Sequence, residues 1–169
     1  MKNIKKRLLS LVLAVVMVLS MSMSVFAAEV TPDPITVTVK IAATGSTAEV
    51  NETTDKYNTA ITVESTKGAT IESIVKAALD KKGLTAEWKT VKDYKLEGVT
   101  HQALNAITAN GVTYATWIAA DYSKGAGWTW SARLKDGTAV NNENYMCCRT
   151  MDGDGTITLA FAFADYTKY

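Results

Sequence analysis

Histidine and cysteine are scarce in this chain, which has one histidine and two cysteines among its 169 residues. A serine or cysteine nucleophile would need His101 as its base, and the surrounding segment GVTHQAL carries no catalytic signature. A zinc site needs three or four ligands, and His101 with Cys147 and Cys148 matches no known ligand spacing. The sequence therefore predicts a protein that is not an enzyme, with no catalytic residues, no metal site and no cofactor.

The two cysteines, Cys147 and Cys148, are neighbours in the chain. Consecutive Cα atoms lie about 3.8 Å apart, below the usual disulfide range of about 4.4 to 6.8 Å, so the pair bridges itself only through a strained ring. The sequence favours two free, buried thiols. A vicinal or intermolecular disulfide and a reactive thiol remain as alternatives.

Long apolar runs are confined to the N-terminus, where basic residues precede a run from Leu8 to about Leu19. Val25 and Ala27 supply the small residues of a leader cleavage site, so we expect a signal peptide over residues 1–27, with cleavage after Ala28 as the alternative. An uncleaved anchor is disfavoured because a spanning helix needs about 20 apolar residues. The prediction is a secreted, extracellular or loosely cell-envelope-associated protein with no membrane span after leader cleavage.

Removal of the leader changes the charge balance. It takes four of the 18 lysines and arginines and none of the 17 acidic residues, which leaves 14 against 17 and a net charge of −3. A nucleic-acid partner is therefore not expected. Both prolines fall in an extended lead-in over residues 28–34, and residues 35–169 have a length that suits a single domain.

Apolar and polar residues alternate in several segments, and this period of two predicts β-strands. Residues 35–41 and 61–64 are expected to form a hairpin with a long polar loop, and residues 128–135 a strand that ends in the turn Asp136-Gly137. Residues 157–164 predict a last strand that is covered on nearly both sides. The mixed pattern of residues 84–126 predicts a strand or two with irregular connections.

A helical stripe follows the first hairpin. The spacing i, i+3, i+4, i+7 and i+8 is shared by Ile71, Ile74, Val75, Ala78 and Leu79. Thr70 is a suitable N-cap residue and Gly83 suits a left-handed stop, so we expect one main helix over about residues 70–82.

The segment TMDGDGTITLAF contains DGDGTI, which resembles part of an EF-hand calcium loop. Asp152 and Asp154 would occupy positions 3 and 5 of that loop, but Thr150 falls at position 1 and Phe161 at position 12, where carboxylates are needed. Strand alternation continues through position 12, whereas an EF-hand enters a helix. We interpret DGDG as a turn, with Asp152 and Asp154 as a weak alternative metal site.

The order of these segments resembles the transcobalamin-like C-terminal domain family. The resemblance rests on Gly68-Ala69-Thr70 before the helix, on residues 106–111 (AITANG), on the Trp-rich residues 128–137 and on the Asp152-Gly153-Asp154 turn, and it covers roughly residues 35–165. It implies a β-grasp-like α+β fold, with a mixed or antiparallel sheet of about four to six strands packed on the one main helix. It further implies a domain of unknown function on secreted and surface proteins of Gram-positive-type bacteria.

The chain departs from that family in three respects. The first is its long first hairpin loop. Asp136-Gly137 replaces the usual Asn-Gly, and nothing like the helical barrel of cobalamin carriers is present, so the resemblance does not imply the vitamin as a ligand. Exposed aromatic rings are instead candidate contacts for a ligand, and Trp117, Tyr114 and Tyr122 are the predicted ligand-binding residues.

The expected function is that of a secreted, non-enzymatic binding module that holds a small molecule, glycan or protein. Its partner would be an extracellular ligand or a cell-envelope component. The alternative is a structural or adhesive cell-envelope protein that acts through strand-edge pairing.

Overall fold

The computed structural model describes residues 33–44, 56–93, 95–142, 145–165 and 167. The predicted signal peptide, residues 1–27, and most of the lead-in lie outside the described residues, as does most of the first hairpin loop. Eleven strands, one α-helix and one 3-10 turn make up the described part: β1 (Pro34–Ala43), β2 (Tyr57–Thr66), β3 (Ala69–Thr70), α1 (Ile71–Lys82), β4 (Thr85–Lys92), β5 (Thr100–Ala109), β6 (Val112–Ala115), β7 (Trp117–Ile118), β8 (Lys124–Leu134), β9 (Ala139–Val140), the 3-10 turn (Met146–Cys148), β10 (Thr150–Met151) and β11 (Gly155–Asp165).

The main sheet has six strands in the order β2-β1-β11-β8-β7, with β9 paired to β8. Strands β1 and β11 run parallel, and the other pairs in this sheet are antiparallel. The predicted first hairpin is confirmed, because Val37 pairs with Val63 across β1 and β2. The predicted last strand is also confirmed as β11, whose inward side chains Ile157, Leu159 and Phe161 are fully buried. The predicted cover on nearly both sides was wrong, because Ala162 is exposed and Phe163 is 42% exposed.

Two smaller sheets complete the fold. Strands β4, β5 and β6 form a three-stranded antiparallel sheet, with a bulge between Glu87 and Trp88. Strands β3 and β10 form a two-stranded sheet, in which Thr70 pairs with Thr150 and Ala69 with Met151. This short pairing joins the start of α1 to the segment that follows the 3-10 turn.

Helix α1 lies where its apolar spacing predicts. The side-chain hydroxyl of Thr70 accepts a hydrogen bond from the backbone N–H of Ser73, and Gly83 ends the helix in the left-handed conformation with φ of 69°. The predicted stripe is the buried face of the helix and comprises Ile71, Ile74, Val75, Ala78 and Leu79.

The predicted fold class was wrong. Strands account for 60% and helical segments for 13% of the described residues, which form several sheets and one α-helix, so the fold is not a β-grasp-like α+β arrangement of one sheet on one helix. The difference lies in the middle of the chain. Residues 84–126 were predicted to form a strand or two with irregular connections, but they contain the whole second sheet and strand β7. Within β5, Leu104 through Ile107 are consecutively buried. A run that is covered on both faces loses the alternation from which a strand is predicted.

Candidate functional site

The three aromatic residues predicted to bind a ligand occupy different environments. Tyr114 is only 2% exposed, with its ring against Phe161 at a centroid distance of 5.8 Å. Trp117 is half-buried beside Phe163, whereas Tyr122 is 75% exposed in a left-handed backbone conformation. Tyr114 is thus a core residue in this structure, and only Trp117 and Tyr122 present ring surface to solvent.

The DGDG segment forms a turn between β10 and β11, as predicted. A carboxylate oxygen of Asp154 accepts a hydrogen bond from the backbone N–H of Thr36 at 2.8 Å, and a carboxylate oxygen of Asp152 accepts a longer one from the Thr150 hydroxyl. The carboxylate of Asp154 therefore joins the turn to β1.

A different group of side chains meets at one end of the second sheet. His101 is the second residue of β5, Asp93 directly follows β4, and Cys147 and Cys148 belong to the 3-10 turn. The His101 imidazole nitrogen and the two cysteine sulfurs lie within 4.8 Å of one another. We call His101, Cys147 and Cys148 the Cys-His cluster.

Asp93 fixes the orientation of the His101 ring. One oxygen of its carboxylate lies 2.8 Å from His101 Nε2, and the other accepts the backbone N–H groups of Lys95 and Leu96 at 2.7 and 2.9 Å. A carboxylate at this position assigns the proton to Nε2, which leaves the Nδ1 lone pair directed at the cysteines. The side chains of His101 and Asp93 are 9% and 13% exposed, so water has little access to the hydrogen bond between them.

The two thiols lie on the Nδ1 side of the ring. His101 Nδ1 is 3.2 Å from Cys147 Sγ and 3.5 Å from Cys148 Sγ, and the two sulfurs are 3.5 Å apart. Both cysteines are free thiols, Cys147 partly buried and Cys148 exposed. In this arrangement a thiol donates its hydrogen to Nδ1, and Nδ1 acts as the acceptor.

Neighbouring elements hold the cluster in place. The ring of Tyr145 stacks on His101 with centroids 4.3 Å apart. The backbone N–H of Cys148 donates to the carbonyl of Tyr145 at 2.9 Å and closes the 3-10 turn. On the far side of the turn, the backbone N–H of Ile71 donates to the carbonyl of Arg149 at 2.8 Å, which joins the turn to the start of α1.

The cluster has an acidic environment. Burial raises the pKa of Cys147 to about 11, and the neighbouring Cys148 and the charge of Glu72 act in the same direction. The hydrogen bonds from the Lys95 backbone and from His101 lower the pKa of Asp93, which keeps this carboxylate ionised. Cys147 therefore keeps its proton at neutral pH, and a metal ion bound there would have to displace it.

The donor spacing is close to that required by a tetrahedral metal ion. With Zn–S bonds of about 2.3 Å and Zn–N bonds of about 2.0 Å, the sulfurs lie about 3.8 Å from each other and about 3.5 Å from the nitrogen. The observed distances of 3.5, 3.2 and 3.5 Å would each have to lengthen by no more than about 0.3 Å. A disulfide would instead require the sulfurs to approach to about 2.05 Å within a strained ring.

The same residues also have the connectivity of a thiol nucleophile with its base. Asp93, His101 and Cys147 form a continuous chain of contacts at 2.8 and 3.2 Å. A catalytic cysteine, however, is activated by positive surroundings that lower its pKa, whereas the pKa of Cys147 is raised. The raised pKa therefore disfavours the free thiolate that nucleophilic attack requires.

The sequence alone did not indicate this cluster. His101 lies 46 residues before Cys147, and the two segments meet only because β5 packs against the 3-10 turn. Metal sites are recognised in a sequence by pairs of ligands at short spacings, and adjacent cysteines with one remote histidine do not form such a pattern. The one signal in the sequence was the scarcity of histidine and cysteine. The chain has one histidine and two cysteines, and the structure brings all three together.

A scan of the chain against protein-family models and a search of curated proteins both find no match. The resemblance to the transcobalamin-like C-terminal domain therefore stays a prediction. Within the part of the chain that the structure describes, no helix has both the length and the apolar character needed to cross a membrane.

Proposed function

We propose that this protein is an exported binding module whose ligand is one thiophilic metal ion, of the zinc or cuprous type, held by the Cys-His cluster. The observation that carries the proposal is the triangle of His101 Nδ1 and the two cysteine sulfurs, with sides of 3.2, 3.5 and 3.5 Å. Thiolate and imidazole ligands together select zinc and cuprous ions over magnesium and calcium.

The hydrogen bond from Nε2 to a carboxylate supports this assignment. Histidines that bind metals donate their second ring N–H to a carboxylate or carbonyl, which fixes the tautomer and increases the basicity of the ligating nitrogen. Asp93 occupies that position for His101. The backbone N–H groups of Lys95 and Leu96 donate to the other oxygen of Asp93 and fix the orientation of its carboxylate.

The number of ligands favours a reversible binder over a purely structural site. The group found among the described residues has three donors, and a closed structural zinc site has four. An open position allows a receiving ligand to enter the coordination shell before the ion leaves. Cys148 is exposed, so the cluster is reached from solvent on the sulfur side.

Export is supported by the leader predicted over residues 1–27, and non-enzymatic binding by the absence of a catalytic signature in the sequence. The partner in this proposal is a metal ion of the extracellular or cell-envelope space. Nucleic acid remains unexpected for a mature chain of net charge −3.

A second candidate function, thiol catalysis, is favoured by the Asp93, His101 and Cys147 alignment alone. The two functions differ in the reactivity of the metal-free protein toward iodoacetamide at pH 7. With a pKa of about 11, Cys147 is thiolate in only about one molecule in ten thousand at that pH, so we expect slow alkylation. Alkylation of Cys147 much faster than that of free cysteine would favour catalysis.

The metal proposal is tested by titrating the reduced protein with Zn²⁺ against a chromophoric chelator, and with Co²⁺ to record sulfur-to-metal charge-transfer absorption. We expect one ion per chain. The charge-transfer band should weaken in Cys147→Ser and in Cys148→Ser and be lost in the double variant, and the affinity should be reduced in His101→Gln. Tyr145→Phe is the matched control, since it keeps the stacked ring and removes only a hydroxyl whose contact to the Lys92 carbonyl is 3.5 Å long.

Equal metal affinity in the wild-type protein and in the Cys147→Ser, Cys148→Ser double variant would overturn the proposal. Thermal unfolding of each variant in the absence of metal separates loss of the site from loss of the fold. A variant that melts with the wild-type protein but no longer gains stability from Zn²⁺ has lost the site only.

A further inference from the structure

The main sheet carries a second feature, on the face turned away from the core. In β1, Ile35, Val37, Val39 and Ile41 are buried, so Thr36, Thr38 and Lys40, which alternate with them, point outward. Successive residues of a strand face opposite sides, so the same alternation applies to the paired strands. Strands β1, β11 and β8 therefore share one outward face, and this face includes none of the residues of the Cys-His cluster.

Hydroxyl groups form rows across this face. Thr38 pairs with Thr62 of β2 on one side and with Thr156 of β11 on the other, and the Thr38 and Thr62 hydroxyls are 3.2 Å apart. In the next row Thr158 of β11 pairs with Ser131 of β8. Four neighbouring strands thus present short hydroxylated side chains in register.

Cations border these rows. Lys40 pairs with Thr158, and Arg133 pairs with Thr156, so each cation adjoins a hydroxyl row. Lys40, Arg133 and Lys135 line an open depression of about 760 Å³, and the hydroxyl residues Thr36, Ser131, Thr156 and Thr158 line it as well. Arg133 donates a hydrogen bond to the carbonyl of Gly137 at 3.2 Å, which holds its guanidinium at the rim.

Among the described residues that line the depression, Asp154 is the one acidic residue, and its carboxylate already accepts the backbone N–H of Thr36. Glu64 of β2 adjoins the depression, because its carboxylate accepts the Thr36 hydroxyl. Three cations therefore face two carboxylates here, although the mature chain as a whole is acidic. A local charge opposite to that of the whole protein indicates a surface that attracts anions.

We propose that this face binds an anionic glycan, a hydroxyl-rich chain that carries carboxylate or phosphate groups. The hydroxyl rows offer both donors and acceptors to sugar hydroxyls, and the cations pair with the acidic groups. The depression is open and lies across several strands, which suits an extended chain. No aromatic side chain is among the described residues that line it, and these residues offer no stacking platform for the bases of a nucleic acid.

The test is affinity electrophoresis of the purified protein in native gels that contain polygalacturonate, poly(glycerol phosphate) or neutral dextran. We expect retardation by one or both of the anionic polymers and none by dextran, and the comparison of the two anionic gels separates carboxylate from phosphate recognition. Retardation should weaken with added salt, because exposed charges are screened.

Variants locate the binding surface. Lys40→Gln and Arg133→Gln are each expected to raise the apparent Kd about twofold to fivefold. Lys89→Gln is the matched control, since it removes an exposed cation from β4 in the second sheet. Thr158→Val keeps the branched shape but removes a hydroxyl, and it should weaken binding about threefold to tenfold.

Equal retardation of Lys40→Gln, Arg133→Gln and the Lys89→Gln control would overturn the proposal, as would equal retardation by dextran. So would binding of a single-stranded oligonucleotide as tight as that of the anionic polymers, since that outcome would indicate charge attraction without glycan recognition. None of these outcomes depends on metal binding at the Cys-His cluster.

Discussion

Asp93 offers the sharpest mutational test of the Cys-His cluster. In Asp93→Asn the side-chain oxygen can still accept the backbone N–H groups of Lys95 and Leu96, so the loop after β4 keeps its geometry. The amide nitrogen then faces His101 Nε2 at the former 2.8 Å contact. Because an amide N–H₂ is a donor, Nε2 must become the acceptor and the proton moves to Nδ1. A protonated Nδ1 does not bind a metal ion.

The expected loss follows from the shielding of that contact. Removal of an outer carboxylate partner lowers metal affinity about 10- to 100-fold in known sites. The side chains of His101 and Asp93 are only 9% and 13% exposed, so water does not readily replace the lost acceptor. We therefore expect Asp93→Asn to weaken zinc binding about 30- to 100-fold.

The measurement is competition for Zn²⁺ against a chromophoric chelator at fixed pH. Asp136→Asn is the control, because the Asp136 carboxylate likewise accepts a backbone N–H, from Thr138 at 2.8 Å, but lies in the turn after β8. A change of less than twofold in Asp93→Asn, or an equal change in Asp136→Asn, would refute the role assigned to Asp93.

Three further predictions concern stability and pH. Phe161→Ala should cost about 3 to 5 kcal/mol in urea unfolding, because the ring is fully buried against Tyr114 and Trp128, and a loss below about 1 kcal/mol would contradict this packing. Thr70→Ala should cost about 1 kcal/mol through loss of the α1 cap, whereas Thr70→Ser should not. Because the pKa of Cys147 is raised from 9.0 to about 11, the metal-free protein should keep this contribution to stability below pH 9 and lose it as the pH rises to 11, and Cys147→Ser should remove that loss.

Elements with a regular local pattern were predictable from the sequence. Helix α1 has five apolar residues on one stripe, a capping Thr70 and a terminal Gly83, and all of these signals agree with one another. Strand β11 follows a turn and alternates over its inward residues, so its start and its buried side were predictable as well.

The second sheet was not predictable, because its pattern is interrupted. A bulge between Glu87 and Trp88 shifts the pairing register of β4. In β5, Leu104 through Ile107 are consecutively buried, so the strand lacks the alternation of apolar and polar residues. The residues that carry both irregularities pack between elements that are distant in the chain. Their pattern becomes interpretable only after the sheets have been placed.

The Cys-His cluster depends on the same long-range packing. The loop that begins at Asp93 turns back so that His101 pairs with Val91 near the end of β4. The 3-10 turn then brings two sulfurs to the ring, joined to α1 through the Arg149 carbonyl. A sequence contains the ligand types of such a site, but the tertiary contacts determine which of them meet.

The most direct test of the central claim is the X-ray absorption spectrum of the zinc-loaded protein at the zinc edge. The cluster predicts a first shell with two sulfur atoms at about 2.3 Å and imidazole nitrogen at about 2.0 Å. A first shell of nitrogen and oxygen alone would show that the ion binds elsewhere and would contradict the assignment of His101, Cys147 and Cys148 as its ligands.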